Sequence, residues 1–133
     1  MISRLESVVG IAFAWPIVKP MLLPAIEMSR GFYSMETVRD AVLIGDMQLW
    51  IAGDPIELAC LTEIIVAPTG DVKILNFFAL GGTNLPDHYK DGMREIEAWG
   101  RDMGCNRARI EGRKEWRRVS GYDPVRITLE KDL

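Results

Sequence analysis

The chain of 133 residues is poor in the residue types that carry most metal and redox chemistry: it has two cysteines and one histidine. Cys60 and Cys105 lie too far apart for any metal-ligand or redox spacing, and Cys60 sits in an apolar run where a buried free thiol is the usual outcome. Two reduced, structural thiols fit a cytoplasmic protein. His88 has no Cys, His or carboxylate at ligand spacing, so no metal is expected. The sequence also lacks a nucleophile elbow around Ser120, which removes the support for a hydrolase triad. Low-complexity tracts, internal repeats and linkers are missing as well, which leaves a single domain over residues 1–133.

Long apolar runs are scarce too. The stretch from Val8 to Trp15 is apolar, but Pro16 follows it, and such a run falls short of the roughly 20 residues a membrane span needs. Glu6, a lone Arg4 and the want of a small-residue cleavage site make it a poor signal peptide. A core segment is expected, and a membrane is not an expected partner.

What is present is an ordinary globular balance, 48% hydrophobic and 26% charged, with a formal net charge of −3. Residues 1–106 hold 8 Lys and Arg against 14 Asp and Glu, whereas residues 107–133 hold 8 against 5. A basic end can meet an acidic partner, or it can be a solvated face balanced by Glu111 and Glu115. Nucleic acid is not the expected partner.

Residues 1–15 read as a first strand, a short helix, or one after the other. Pro16, Pro20 and Pro24 predict a helix that starts only near Met21 and ends at Arg30 with Gly31 as its cap. Ser34 is an N-cap candidate for a second helix with Val38, Ala41 and Val42 as its apolar stripe, stopped by Gly45-Asp46. Strands are predicted over Met47–Ala52, Ile56–Ala67 and Val72–Leu80, separated by turn-forming residues. Their near-continuous apolar runs imply a sheet covered on both faces. A long helix follows from about Pro86 to Met103, then a strand over Arg107–Glu111, a short helix over Arg113–Ser120 and a last strand over Val125–Lys131. The order predicts an α/β (α+β) fold, a mixed central sheet with helices on both faces.

That order, with Leu80-Gly81-Gly82 before a helix carrying Ile96 and Trp99, then Gly104-Cys105, and Gly112-Arg113-Lys114-Glu115-Trp116 through Gly121-Tyr122, resembles the GNAT family of N-acyltransferases. More narrowly, Gly45 to Ala52, Thr62-Glu63-Ile64, Leu80-Gly81-Gly82 and Gly112-Arg113-x-x-Trp116 look like small GNAT-like proteins encoded by tailed bacteriophages, some of them internal virion proteins. The resemblance implies acetyl-CoA as the cofactor. Its diphosphate would be cradled by the loop Leu80, Gly81, Gly82, Thr83 and Asn84 at the N-terminus of the long helix, where backbone N–H groups and the helix dipole favour an anion.

Two functions follow from it. The loop lacks the family's Gln/Arg and spaced glycine, and Arg117 stands where many relatives carry a catalytic tyrosine. This degenerate pattern implies a GNAT-fold protein acting through protein contacts, either self-association or virion components, in host cytoplasm or particle. Trp116 with Arg113 and Arg117 is its candidate patch. The alternative is an acetyl-CoA-dependent N-acyltransferase with Glu63, the one carboxylate amid the apolar strands, as general base. Tyr122 reads as the aromatic of the final turn.

Overall fold

The computed structural model describes residues 1–112 and 120–133. Its elements are β1 (Ile2–Leu5), α1 (Val8–Glu27), α2 (Met35–Ile44), β2 (Met47–Ala52), β3 (Leu58–Val66), β4 (Lys73–Gly82), α3 (Leu85–Asp102) and β5 (Arg107–Ile110). The opening residues are thus a strand and then a helix, and that helix begins thirteen residues before the Met21 start that the prolines predict. Pro16, Pro20 and Pro24 are spaced four apart and fall on one exposed stripe of α1. Each proline removes a bond to the carbonyl four residues earlier. Because those carbonyls belong to the exposed residues Ala12, Pro16 and Pro20, water can serve them. The opposite stripe, Ile11, Trp15, Val18, Leu22 and Ile26, is buried and pins the helix to the sheet.

By length and composition α1 is apolar enough to cross a membrane, although its inner stripe is core. The start of α2 follows the sequence closely. Ser34 accepts from the Thr37 backbone N–H, the Thr37 hydroxyl oxygen accepts from the Ser34 N–H, and Gly45 ends the helix in the left-handed region.

The sheet order is β1-β2-β3-β4-β5, antiparallel except for the parallel pair β4–β5 that spans the α3 crossover. One face carries α1 and α2 over Leu49, Ala59, Leu61, Phe78 and Ala79. The other carries α3, whose Ile96, Met93 and Trp99 pack on Trp50, Cys60, Leu75 and Phe77. Beneath α3 lies a small buried polar chain: Trp50 Nε1 donates to Thr62 Oγ1 (2.9 Å), and the Thr62 hydroxyl donates to Gln48 Oε1 (2.8 Å). Thr62→Val keeps the volume but strands a buried donor and a buried acceptor. We expect a loss of about 2–4 kcal/mol, read as a lower urea midpoint with an unchanged m-value.

Two further elements were expected after β5. The helix over 113–120 and its patch of Arg113, Trp116 and Arg117 lie outside the described residues, apart from Ser120. Residues 125–131 form no strand: Val125, Ile127 and Leu129 are 78%, 87% and 89% exposed. The alternation is right for a strand, but no neighbour among the described residues supplies the ladder.

Candidate active site: a bulged strand, a splayed pair and a carboxylate–amide cluster

Leu61 and Thr62 of β3 pair with Ala79 and Phe77, which leaves Phe78 as an extra residue on β4. A bulge of this kind bends its strand and re-aims side chains. Here it turns both Phe78 and Ala79 toward α1. On the other side of β4, pairing with β5 stops at Phe77–Ile110, with a last bond from the Glu111 N–H to the Phe77 carbonyl (3.1 Å). Beyond that point Phe78–Gly82 continues with no strand partner on the β5 side among the described residues.

At the mouth of this opening, on the α1 side of the sheet, Glu63 of β3 stands opposite Asn76 of β4. Asn76 Nδ2 donates to Glu63 Oε1 (3.1 Å) and to Glu111 Oε1 (3.0 Å), so one amide bridges two carboxylates. Tyr33, between α1 and α2, donates its hydroxyl to Glu63 Oε1 (3.2 Å) and stacks on Phe78 with ring centroids 4.9 Å apart. Burial, reinforced by the charges of Glu63 and Glu111, pushes the Tyr33 phenol well above its ordinary value. Glu63 is half-buried, and no arginine among the described residues pairs with it. Arg109, at the register position of Asn76 on β5, makes no ion pair with either carboxylate. Asn76 itself is fully buried, and its Oδ1 has no donor among the described residues. The cluster is rich in acceptors, which suits a ligand bearing N–H groups.

The expected diphosphate cradle is built otherwise. Gly81 and Gly82 are the last residues of β4 rather than a loop. A Cβ on Gly81 would run into the Met21 carbonyl of α1, and one on Gly82 into the Glu57 carbonyl before β3. Close packing of backbone therefore accounts for both glycines without any ligand. The Thr83 N–H donates to the Glu57 carbonyl (2.7 Å), Pro86 has no N–H, and the Asp87 N–H bonds the Asn84 carbonyl (3.1 Å). Asn84 occupies the N-cap position with a left-handed backbone (φ 53°) and makes no capping bond. Its side chain instead donates to Glu57 Oε2 (2.9 Å), which also meets His88 Nε2 at 2.9 Å. The Asn84 amide, and after it the His88 ring, hold the Glu57 carboxyl below the usual carboxylate range. A carboxylate thus stands where the helix N-terminus would receive an anion, and Asp87 adds another in the first turn.

An acyl-CoA fits this chain in part. The open edge of β4 suits an extended arm bearing amides, which could pair with it as a strand does. In the segment Thr83–Asp87 the amides of Thr83 and Asp87 are already bonded and Pro86 has none, so the diphosphate would find at most those of Asn84 and Leu85. Among the described residues no three His, Cys, Asp or Glu side chains gather into a metal-holding group. Cys60 is buried beneath α3, where burial pushes its thiol up to about 12, and Cys105 is also a free thiol. Tyr122 is half-buried and donates to Glu97 Oε2 of α3 (2.6 Å).

Sequence reasoning singled out Glu63 but missed its partners. Asn76 carries a legible signal, a lone amide inside Ile74-Leu75-Asn76-Phe77-Phe78. Tyr33 lies outside the predicted elements, Glu57 and Glu111 sit at the ends of predicted strands, and only the fold brings the three to their sites.

No protein-family model matches the sequence, and no curated protein does. The fold has many solved counterparts. A probable acetyltransferase superposes with a TM-score of 0.70 at 9% identity over 100% of this chain and 96% of that one. A GNAT family acetyltransferase from Staphylococcus aureus gives 0.66 at 10% identity over 100% and 98%. A predicted acetyltransferase with acetyl-CoA from Clostridium acetobutylicum gives 0.67 at 12% identity over 99% and 96%. The chain has a GNAT-like fold, a mixed sheet flanked by helices.

Proposed function

We propose that this chain is an acetyl-CoA-dependent N-acyltransferase whose acceptor amine is received at Glu63, Asn76 and Glu111. The observation that carries the reading is the position of that cluster at the point where β4 and β5 part, beside the unpaired edge Phe78–Gly82. Acetyl-CoA would supply an acyl thioester, and its arm would be held by that edge. Glu63 takes a proton from the acceptor's ammonium, and the freed lone pair attacks the thioester carbonyl. The carbon–sulfur bond then breaks, and a second proton from that nitrogen goes to the departing CoA thiolate. Glu111 attracts the same cation, and Asn76 holds both carboxylates in place. Tyr33 donates to Glu63 and, with its phenol pushed up, stays protonated as it does so.

The likeness to a predicted acetyltransferase with acetyl-CoA supports the reading, as does the likeness to an aminoglycoside acetyltransferase in complex with sisomicin, a TM-score of 0.68 at 10% identity over 100% of this chain and 95% of that one. The test is calorimetric titration of the folded protein with acetyl-CoA. The expected result is saturable binding with Kd between about 1 μM and 1 mM, the usual span for enzyme substrates. No heat at the upper end of that range overturns the proposal.

Glu57 at the N-terminus of α3 favours a second reading: a GNAT scaffold that has given up the diphosphate seat and acts through protein contacts, including as a phage-encoded, virion-associated component. It predicts a flat titration and association with another protein.

A further inference from the structure

We infer that residues 125–131 form an antiparallel strand with the same residues of a second copy of this chain, making a two-fold dimer. The segment beyond Tyr122 is fixed at both ends. The Tyr122 hydroxyl holds one end to Glu97 on the α3 face, and Arg30 in the turn after α1 holds the other through Glu130 (3.2 Å) and Asp132 (3.1 Å). Between these anchors it pairs with no strand among the described residues, and Val125, Ile127 and Leu129 stand almost wholly in solvent. Three apolar side chains at i, i+2 and i+4 belong to one face of a strand, and exposing all of them leaves that face without its partner.

The sequence says which partner fits. In an antiparallel pair centred on Thr128, residue 127 faces residue 129 of the other copy, 126 faces 130, and 128 faces itself. Ile127 then meets Leu129, Arg126 meets Glu130 and Thr128 meets Thr128, each pair occurring twice or on the axis. Apolar, opposite-charge and Thr–Thr cross-strand pairs are the ones that stabilise such ladders. The odd-numbered face gathers Val125, Ile127 and Leu129 from both copies, with Lys131 opposite Val125 at each end, and the even-numbered face carries the charge pairs. Arg30 occupies only Oε2 of Glu130, so Oε1 remains to accept from the other copy's Arg126. A two-stranded ribbon alone is marginal in water, but here each strand is already held at both ends, which lowers the cost of ordering it. The contact is isologous, so it closes at two copies and does not propagate.

The test uses charge complementation in the full chain, with sedimentation equilibrium over about 1–100 μM. Wild type is expected to dimerise. Arg126→Glu sets two carboxylates against each other across the pair, and Glu130→Arg sets two guanidinium groups against each other. Each variant alone should associate at least tenfold more weakly than wild type. Arg126→Glu leaves the Arg30 anchor untouched, so its effect belongs to the cross-strand pair. When the two variants are mixed in equal amounts, the heterodimer again has a charge pair of opposite sign at one end of the ladder. The other end does so as well, with the signs exchanged across neither strand alone but between the copies: one position pairs the two native residues and the other pairs the two substituted ones. The heterodimer should therefore return. A cooperative thermal transition in both variants separates the result from misfolding; lacking the dimer's stabilisation, they should melt lower than wild type. A monomeric wild type, an Arg126→Glu variant that still dimerises, or a mixture that stays monomeric overturns the proposal.

Discussion

Gly81→Ala should lower the stability of the fold by about 3 kcal/mol or more, a large share of the ~5–15 kcal/mol that holds a domain of this size. The backbone at Gly81 lies outside the left-handed region, so conformation alone would allow alanine. Space does not: the added Cβ would meet the Met21 carbonyl group, with the carbonyl carbon only 2.7 Å away. Backbone on both sides cannot yield as a flexible side chain would, so α1 must lift from β4. Urea or thermal denaturation reads the effect, and a variant melting with wild type would show that the close approach is absent. Gly82 meets a similar limit, with Leu58 Cα 2.8 Å from its added Cβ and a positive φ of 131° besides. Loss of acetyl-CoA binding in either glycine variant therefore says nothing about a diphosphate cradle.

Glu63→Gln is expected to lower acyl-transfer turnover by ~10²–10⁴-fold while leaving the fold and acetyl-CoA affinity in place. Glutamine keeps a carbonyl oxygen that can accept from the Tyr33 hydroxyl and the Asn76 amide, the two bonds Glu63 makes now. What it loses is the ability to take a proton. Activity equal to wild type would remove Glu63 from the mechanism. A rise in KM for the acceptor with kcat unchanged would instead make it a binding group for the cationic acceptor.

Much of the architecture was legible in the sequence because its signals are local. The Ser34 cap and the Gly45 stop bound α2, and the turn residues between apolar runs set β2, β3 and β4 to within two residues. The start of α1 was not legible, since a proline's cost depends on whether the carbonyl it deprives faces water or core, and only the packed structure decides that. The missing strand at 125–131 shows the complementary limit. Alternation tells which side chains share a face, but not which edge receives the strand.

For the site, Glu63 stood out as a carboxylate among apolar residues, and Asn76 could have been found on the same ground. The bulge at Phe78 leaves no trace in composition, and the meeting of Asn76 with Glu111 depends on β5 arriving parallel to β4 after the α3 crossover. The glycine pair misled for a physical reason: glycine is needed wherever backbones approach closely, whether or not a phosphate is present.

The proline-bearing helix also has a consequence for how the protein is made. With three backbone bonds missing, residues 8–27 have little reason to stay helical alone, and their support comes chiefly from β3 and β4, which end at residue 82. A ribosome adding about 5–20 residues per second therefore exposes this apolar stretch for several seconds before its support emerges. During that interval the nascent chain is a natural client for a holding chaperone, and slowing translation between residues 27 and 82 should increase aggregation.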